Sequence, residues 1–457
     1  MADDDVTAPR DIRAGGCRVL APGDPDWDAA RAVFNLLIDE RPAAIALPED
    51  AADVIDAVAV ARERGLRVTA QGTGHGAGSL LPLDGIMLVN TSRLTEVGID
   101  AEGRRVRVGA GVRWRDVAPR LAELGLAALH GSSPDVGIAG YSLGGGIGWL
   151  SRRHGLQCNA VRAIELVTAD GRMLRVDADH EPELFWALRG GGGSFGVVTA
   201  IEFDIVPIAE LAAGALFFPV ERTAEVLRAW TDLLPSLPDE LTTWVAVIHF
   251  PPFDEVPAEV RGRSFAIVLA AFLGPESAAR KLLAPVIDLG PELDALAAQS
   301  PTALGTLAMD PEQPLPYRTV SAVLDRLPAD AIDEVARIAA DASALTLVQF
   351  RHAGGALSRV DAGAGALAAL PGDVVMFGLG LVAGPGAEAT VRARLAELAS
   401  AVAPAFAGDY ANLVEEPSDA SAFFDAATWD RLERAKADWD PDDVVVGTHH
   451  VPARARA

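Results

Sequence analysis

Three glycine-dense segments, spread over about 130 residues in the first half of the chain, constrain its fold more than any other feature. They are QGTGHGAG at 71–78, GIAGYSLGGGIG at 137–148 and RGGGGSFGVVT at 189–199. Glycine permits positive φ angles and lets the backbone approach a ligand closely. Close packing of bends explains any one of these segments but explains all three poorly. Together they predict a long slot in which the backbone lies against a flat or extended ligand.

The first segment places glycines at alternate positions around a single histidine, His75. Such a loop exposes backbone N–H groups, which suits a pyrophosphate. The only lysines are Lys281 and Lys436, so a bound phosphate would be held by backbone N–H groups, helix ends or arginine. The loop runs on into a strand rather than a helix, so it is not a Rossmann fingerprint. From this loop alone, a glycine-rich turn with an incidental histidine remains the alternative.

Length and charge exclude several classes of protein. A chain of 457 residues is too long for one ordinary core, so two domains are expected. The net charge of -25 argues against nucleic acid and anionic membranes as partners. The acidic N-terminus lacks the apolar core of a signal peptide, and no uncharged run reaches the length of a membrane helix. We therefore expect a cytoplasmic protein with neither a nucleic-acid nor a membrane partner.

Motifs for other chemistries are absent from the sequence. Cys17 and Cys158 provide neither a disulfide framework nor a metal cluster, and no histidine has metal-ligand spacing, so no metal site is expected. The sequence has no GxSxG elbow before a helix, which leaves a serine hydrolase unsupported. It also lacks the GxxxxGK[ST] loop of a nucleotide triphosphatase.

Hydrophobic periodicity predicts the secondary structure. A short amphipathic helix is expected around Trp27–Leu37, a longer helix at 49–65, and hairpins at 94–111 and 163–177. Beyond Pro207, strand-like runs alternate with alanine-rich helices. This pattern predicts an antiparallel sheet with helices on one face.

Taken in order, these segments resemble the vanillyl-alcohol-oxidase-type (PCMH-type) FAD-binding fold, in its berberine-bridge-enzyme-like branch. The resemblance covers about residues 37–207 and 409–452. The segments that carry it are RPAAIALPEDAADV, QGTGHGAG, RRVRVGAGVRWRDV, GSSPDVGIAGYSLGGGIGWLSRRHGL, LFWALRGGGGSFGVVT and WDRLERAKADWDPDD.

The resemblance implies an α+β fold with two domains. Residues 37–207 would form an FAD-binding domain of two subdomains, after an N-terminal leader at 1–36. Residues 208–410 would form a substrate domain, an antiparallel sheet backed by helices. The C-terminal segment, 411–457, would return to the FAD-binding domain.

The resemblance also implies FAD as the cofactor, bonded through its 8α-methyl group to His75. The expected backbone contacts to the pyrophosphate are Gly72, Thr73, Gly74, Gly76 and Ala77. The expected contacts to the isoalloxazine, ribityl chain and phosphates are Ser132, Gly137, Tyr141, Ser142 and Gly145, with Val198 on the adenine side.

Three departures from the family pattern shape this expectation. Some members attach flavin a second time through a cysteine, but Ser133 occupies that position here, and a hydroxyl cannot replace the thiolate. A single link through His75 is therefore expected. Tyr141 stands where a histidine is common. Of the two tyrosines in a YxNY segment, Tyr410 is kept and Leu413 replaces the second, so a catalytic base must lie elsewhere or be unnecessary.

The implied reaction transfers hydride from an alcohol or amine carbon of a small molecule to flavin N5, with molecular oxygen reduced to hydrogen peroxide. Val136 occupies a place associated in the family with oxygen access, which favours an oxidase. A dehydrogenase using another acceptor stays open, as does a flavin-binding protein that has lost catalysis, because of Leu413. The candidate catalytic residues are Tyr410, Arg351 and Gln349, with Tyr317 and His352 as further pocket candidates. Period two places Gln349 and Arg351 on one strand face and His352 on the other.

Overall fold

The computed structural model describes residues 13–14, 16–80 and 82–454. The first sheet consists of β1 (Arg13–Ala14), β2 (Cys17–Leu20), β3 (Ala44–Leu47), β4 (Arg67–Gln71) and β5 (Ile86–Asn90). Its order is β1-β2-β3-β5-β4, with β5 parallel to both β3 and β4. Strand β2 lies within residues 1–36, so part of the expected leader belongs to this sheet.

Two helices belong to this region, α1 (Trp27–Ala30) and α2 (Ala51–Glu63). Helix α2 matches the prediction, because Asp50 caps it by accepting the N–H of Asp53 and Gly65, at a φ of 67°, follows its end. Helix α1 is shorter than the predicted Trp27–Leu37. The chain leaves the helix because Asn35 forms a bridge with Leu315, and its side-chain amide donates to the Tyr317 carbonyl.

The second sheet is antiparallel and has the order β10-β9-β11-β7-β6. The strands in this part of the chain are β6 (Val97–Asp100), β7 (Arg105–Gly109), β8 (Leu126–Ala127), β9 (Val161–Val167), β10 (Met173–Asp177), β11 (Val197–Asp204) and β12 (Val206–Pro207). Strands β8 and β12 pair separately from the sheet. Both predicted hairpins, β6–β7 and β9–β10, are present. The helices here are α3 (Trp114–Ala122), α4 (Ile138–Leu143), α5 (Ser151–His154), α6 (Gln157–Ala160) and α7 (Pro182–Leu188).

The third sheet is antiparallel, with nine strands. They are β13 (Ala212–Pro219), β14 (Leu241–His249), β15 (Ser264–Phe272), β16 (Leu293–Asp294), β17 (Ala297–Ala298), β18 (Tyr317–Leu324), β19 (Leu347–His352), β20 (Val374–Leu381) and β21 (Phe406–Gly408). Eight follow the order β16-β13-β15-β14-β19-β20-β18-β21, and β17 pairs with β13. The helices are α8 (Thr223–Leu233), α9 (Glu276–Leu282), α10 (Ala284–Ile287), α11 (Ile332–Ala339) and α12 (Ala387–Val402).

Helices α8 to α12 pack against the third sheet in one hydrophobic core. Its buried members include Trp230 of α8, Val335 of α11 and Leu395 of α12. A separate core on this sheet includes Trp244 together with Trp149, which directly follows the second glycine segment. The predicted antiparallel sheet with helices on one face is confirmed. The opposite face is therefore free to meet the glycine-rich half of the chain.

The C-terminal segment packs against the first two sheets. Helix α13 (Ala426–Trp439) buries Leu432 in their common core. After α13, the chain passes beside β4, where Val68 donates to Val444 and accepts from Val446. None of the helices in the described part of the chain is long and apolar enough to cross a membrane.

Candidate active site

A cavity of about 380 Å³ lies where the glycine segments meet the third sheet. This volume is within the range of small-molecule sites. One side is lined by parts of all three glycine segments. The other side is lined by residues of β18, β19 and β20 and by the segments 410–415 and 446–449. We call this space the cleft.

The loop Gly72–Gly76 has unused hydrogen-bond donors on the cleft. None of its backbone N–H groups donates to another described residue, and Gly74 has a φ of 70°. Consecutive free N–H groups at a turn of this kind form an anion-binding concavity. The cleft lining, over the described residues, contains no lysine and one arginine, Arg351. The backbone of this loop is thus well suited to a pyrophosphate.

The other glycines in and beside the cleft have two different roles. A Cβ on Gly140 or Gly193 would enter open space, as expected where a ligand approaches the backbone. By contrast, a Cβ on Gly78 would overlap Glu415, and one on Gly144 would overlap Asn412. Close packing therefore explains part of the glycine pattern, and ligand approach explains another part.

His75 lies in the wall of the cleft. Its Nδ1 is 2.9 Å from Thr73 Oγ1, and its ring stacks on Phe34 with centroids 4.2 Å apart. Its buried Nε2 has no hydrogen-bond partner among the described residues. Burial lowers the pKa of His75 to about 4, assisted by the positive charge of Arg113. The imidazole is therefore neutral near pH 7 and carries an available nitrogen lone pair or N–H.

Most of the residues predicted to contact the cofactor do line the cleft. Those that do are Gly72, Thr73, Gly74, His75, Gly76, Ala77, Ser132, Gly137, Tyr141 and Val198. Ser142 and Gly145 do not. Ser142 is buried behind the wall, and Gly145, at a φ of 123°, packs against Tyr410.

Tyr410 joins the third sheet to the second glycine segment. Its hydroxyl accepts the Gly146 N–H at 2.7 Å and the Asn412 side-chain amide at 3.1 Å. Asn412 also donates to the Tyr141 carbonyl at 2.9 Å. Burial raises the pKa of Tyr410, so its hydroxyl keeps its proton. That proton remains for donation into the cleft.

Gln349 and Arg351 lie on one face of β19, as predicted, but only Arg351 lines the cleft. Gln349 is completely buried, and its Oε1 accepts from Arg351 Nε at 2.7 Å. We therefore place Gln349 behind Arg351 as a positioning residue, rather than in contact with substrate. His352 lies on the other face, 2.8 Å from Arg152 Nη1, and is not part of the cleft lining.

Three acidic or amide residues of the cleft were not predicted. Asp310 accepts the Ser132 hydroxyl at 2.5 Å. Burial raises the pKa of Glu415 to about 7, partly offset by an interaction with the Tyr317 hydroxyl. Asn412 lies in the segment 410–413 that the resemblance singled out, and Glu415 lies two residues beyond it, so the segment was a usable signal. Asp310 comes from a loop with no pattern that could have identified it.

Neither cysteine offers an accessible thiolate. Cys17 and Cys158 are both buried, and burial raises the pKa of the Cys158 thiol to about 12. Ser133, which occupies the position of the flavin-linking cysteine in some members of the family, lines the cleft. The described residues also contain no group of histidine, cysteine or acidic side chains able to hold a metal ion.

Comparisons with known proteins agree with this geometry. The family model for an FAD binding domain matches residues 42–177. The chain is 34% identical over 226 residues to (R)-6-hydroxynicotine oxidase of Paenarthrobacter nicotinovorans, covering 49% of each chain. It is 30% identical over 311 residues to the FAD-linked oxidoreductase YvdP of Bacillus subtilis, covering 67% of each. The matches thus span between about half and two thirds of these curated relatives.

Solved structures match over nearly the whole chain. The structure of 6-hydroxy-D-nicotine oxidase from Arthrobacter nicotinovorans superposes with a TM-score of 0.83 at 25% identity, covering 98% of this chain and 99% of that one. The Physcomitrella patens BBE-like 1 structure gives a TM-score of 0.84 at 20% identity, covering 97% and 98%, and supports the fold alone. With its FAD-binding domain and its similarity to YvdP, the chain belongs to the FAD-linked oxidoreductases of the vanillyl-alcohol-oxidase (PCMH) type.

Proposed function

We propose that this protein is an FAD-dependent oxidase whose cofactor is attached through His75 alone. The observation that carries the proposal is one cleft that holds donors for a pyrophosphate and, beside them, a neutral histidine whose Nε2 has no hydrogen-bond partner among the described residues. Flavin bound there would accept hydride from an alcohol or amine carbon and return the electrons to molecular oxygen, giving hydrogen peroxide.

The cofactor would be held mainly by backbone. The N–H groups of Gly72–Gly76 would meet the pyrophosphate, and the open faces of Gly140 and Gly193 leave room for a ligand. Because Ser133 and the protonated, buried Cys158 offer no thiolate, attachment would be single.

The opposite wall would bind and orient the substrate. The Tyr410 hydroxyl is fixed by two donors, so its own proton would be free to bond to an acceptor on the substrate. Glu415 is a cleft carboxyl with a pKa near 7, which suits a group that takes a proton at neutral pH. It would supply the base that Leu413 cannot.

Oxygen as the acceptor is supported by Val136, which lines the cleft, and by relatives named oxidases. The names of those relatives include both an amine, 6-hydroxynicotine, and sugars, glucooligosaccharide and xylooligosaccharide. The fold does not decide between acceptors, since Phl p 4, a structural neighbour at 19% identity, is named a glucose dehydrogenase. A dehydrogenase is therefore the second candidate.

Two experiments test the proposal. Acid precipitation of the purified protein should give a yellow pellet, and a colourless pellet with all flavin in the supernatant would refute covalent attachment. Anaerobic reduction by a substrate from a panel of alcohols, sugars and amines, followed by air, should restore the oxidised flavin spectrum with peroxide release. Slow reoxidation would favour the dehydrogenase. No reduction by any member of the panel would favour a protein that has lost catalysis.

A further inference from the structure

Arg351 is the only lysine or arginine among the described residues that line the cleft. The chain as a whole carries a net charge of -25, so a cationic side chain in this cleft is unusual for the protein. The pyrophosphate donors of Gly72–Gly76 lie in a different wall, formed by the first glycine segment. Arg351 belongs to the third sheet, in strand β19.

The guanidinium of Arg351 is held rigidly from behind. Its Nε donates to Gln349 at 2.7 Å, and its Cζ lies 4.4 Å from the ring centre of Trp244. Trp244 is itself stacked on Trp149, with centroids 3.7 Å apart, and both indoles are buried. Stacking on an aromatic face and a fixed Nε orient the plane of an arginine fork before any ligand binds.

The front of the same guanidinium has no partner. Neither Nη1 nor Nη2 of Arg351 donates a hydrogen bond or forms an ion pair with a described residue. Asp310 acts on Arg351 only at longer range, and one of its oxygens already accepts from Ser132. An enclosed cation without a contacting anion is costly, which implies that an anionic group completes the site.

The strand residues that line the cleft beside Arg351 are apolar, while Asp310, Tyr141 and Tyr410 act on its charge from other segments. In the register of β19 and β20, Leu347 pairs with Leu379 and Gln349 pairs with Phe377. Leu347, Leu379 and Phe377 all line the cleft. The wall thus combines one fork of donors with an apolar surface, the pattern expected for a ligand with one anionic group on a hydrophobic body.

We propose that Arg351 binds the carboxylate of the substrate, and that the substrates of this enzyme are small monocarboxylic acids with an apolar body. A carboxylate matches the planar arginine fork by two parallel hydrogen bonds. The apolar body would lie against Phe377 and Leu379, and Gln349 would act by positioning the fork. This assignment deepens the proposed function and rests on it.

The test compares two probes of the same shape, benzoate and its uncharged counterpart benzamide. Dissociation constants are measured on the holoenzyme, both from changes in flavin absorbance and by calorimetry. The wild type should prefer benzoate by about 10- to 100-fold, the worth of hydrogen bonds to a charged group. Arg351→Met should remove the preference and leave benzamide binding almost unchanged, while Gln349→Leu should reduce it only several-fold.

Two further variants control the comparison. Arg351→Lys keeps the charge but loses the fork, so an intermediate preference is expected, and this variant decides the matter if Arg351→Met does not fold. Arg261→Met removes an arginine that lies outside the cleft and pairs with the exposed Asp254, and it changes net charge equally, so it should bind like wild type.

Two results would overturn the assignment. One is equal affinity of the wild type for the two probes. The other is an unchanged preference in Arg351→Met, and if the flavin spectrum of that variant also changes, the guanidinium serves the flavin instead. Protein that contains no flavin would refute the proposed function instead, and calorimetry would still decide the role of Arg351.

Discussion

Lys436 provides the sharpest test of how the C-terminal segment is held. It is one of two lysines in the chain and is completely buried. Its Nζ donates to Asp440 at 2.6 Å and to the carbonyls of Ser194 and Val445, both at 2.7 Å. These bonds connect helix α13, the third glycine segment and the strip of chain beside β4. Lys436→Met should therefore loosen all three together.

The magnitude follows from what the substitution leaves behind. Asp440 is also completely buried, so removal of the ammonium leaves an unpaired carboxylate, which costs about 3–5 kcal/mol. Asp440 keeps two backbone donors, the N–H groups of Val444 at 2.9 Å and Val445 at 2.7 Å. They place the expected loss at the lower end, about 3 kcal/mol of unfolding free energy. For a domain of about 150–250 residues, a loss of about 3 kcal/mol corresponds to a fall in Tm of about 6–12 °C.

The chain supplies its own matched control. Lys281, the other lysine, is exposed on α9, and Lys281→Met should change stability by less than about 0.5 kcal/mol. Stability is measured by urea unfolding followed by circular dichroism and by thermal melts. The double variant Lys436→Met/Asp440→Leu should recover much of the loss, because it removes the buried charge. Equal midpoints for Lys436→Met and Lys281→Met would refute this reasoning.

Three other predictions concern the cleft. His75→Ala should release all flavin into the supernatant on acid precipitation, and a yellow pellet from that variant would exclude attachment through His75. Tyr410→Phe should lower kcat/KM by about 10- to 100-fold through loss of a hydroxyl that positions the substrate, with no change expected in the visible flavin content. Because burial raises the pKa of Glu415 to about 7, wild-type kcat/KM should rise with pH through 7, and Glu415→Gln should flatten that limb. The raised pKa of Glu415 also makes the folding free energy depend on pH, because the folded protein favours the protonated carboxyl. This contribution to stability is fully present below pH 4.5, the ordinary pKa, and is lost as the pH rises through about 7. Between pH 4.5 and 7, the urea midpoint of the wild type should therefore fall with pH more steeply than that of Glu415→Gln.

The sequence predicted correctly those elements whose ends are determined by residues close together in the chain. Helix α2 has its cap at Asp50 and its stop at Gly65 within one segment, and the turn of the β9–β10 hairpin is marked by Gly171. The helix expected up to Leu37 failed because Asn35 bonds to a residue 282 positions away in sequence. Periodicity within a window carries no information about such a partner.

For the cleft, too, the sequence identified residues that are adjacent in the chain but not contacts between distant segments. The loop around His75 was identified because its glycines and histidine are adjacent in sequence. Period two placed Gln349 and Arg351 on one face, but it could not tell which of them reaches the cleft. That distinction depends on the stacking of Arg351 on Trp244, a contact between two strands that sequence spacing does not reveal.

The glycine segments show why the ligand interpretation and the packing interpretation are both needed. If the glycines served packing alone, Gly140 and Gly193 would have neighbours at the position of a Cβ, and they have none within 4 Å. If they served a ligand alone, Gly78 and Gly144 would not be in contact with Glu415 and Asn412. The two groups meet in one cleft because the segment 410–415 crosses the glycine loops and brings its polar side chains to the cofactor side. The absence of a side chain at Gly144 leaves room for the Asn412 amide, so a side chain at Gly144 would displace the donor that holds the Tyr410 hydroxyl.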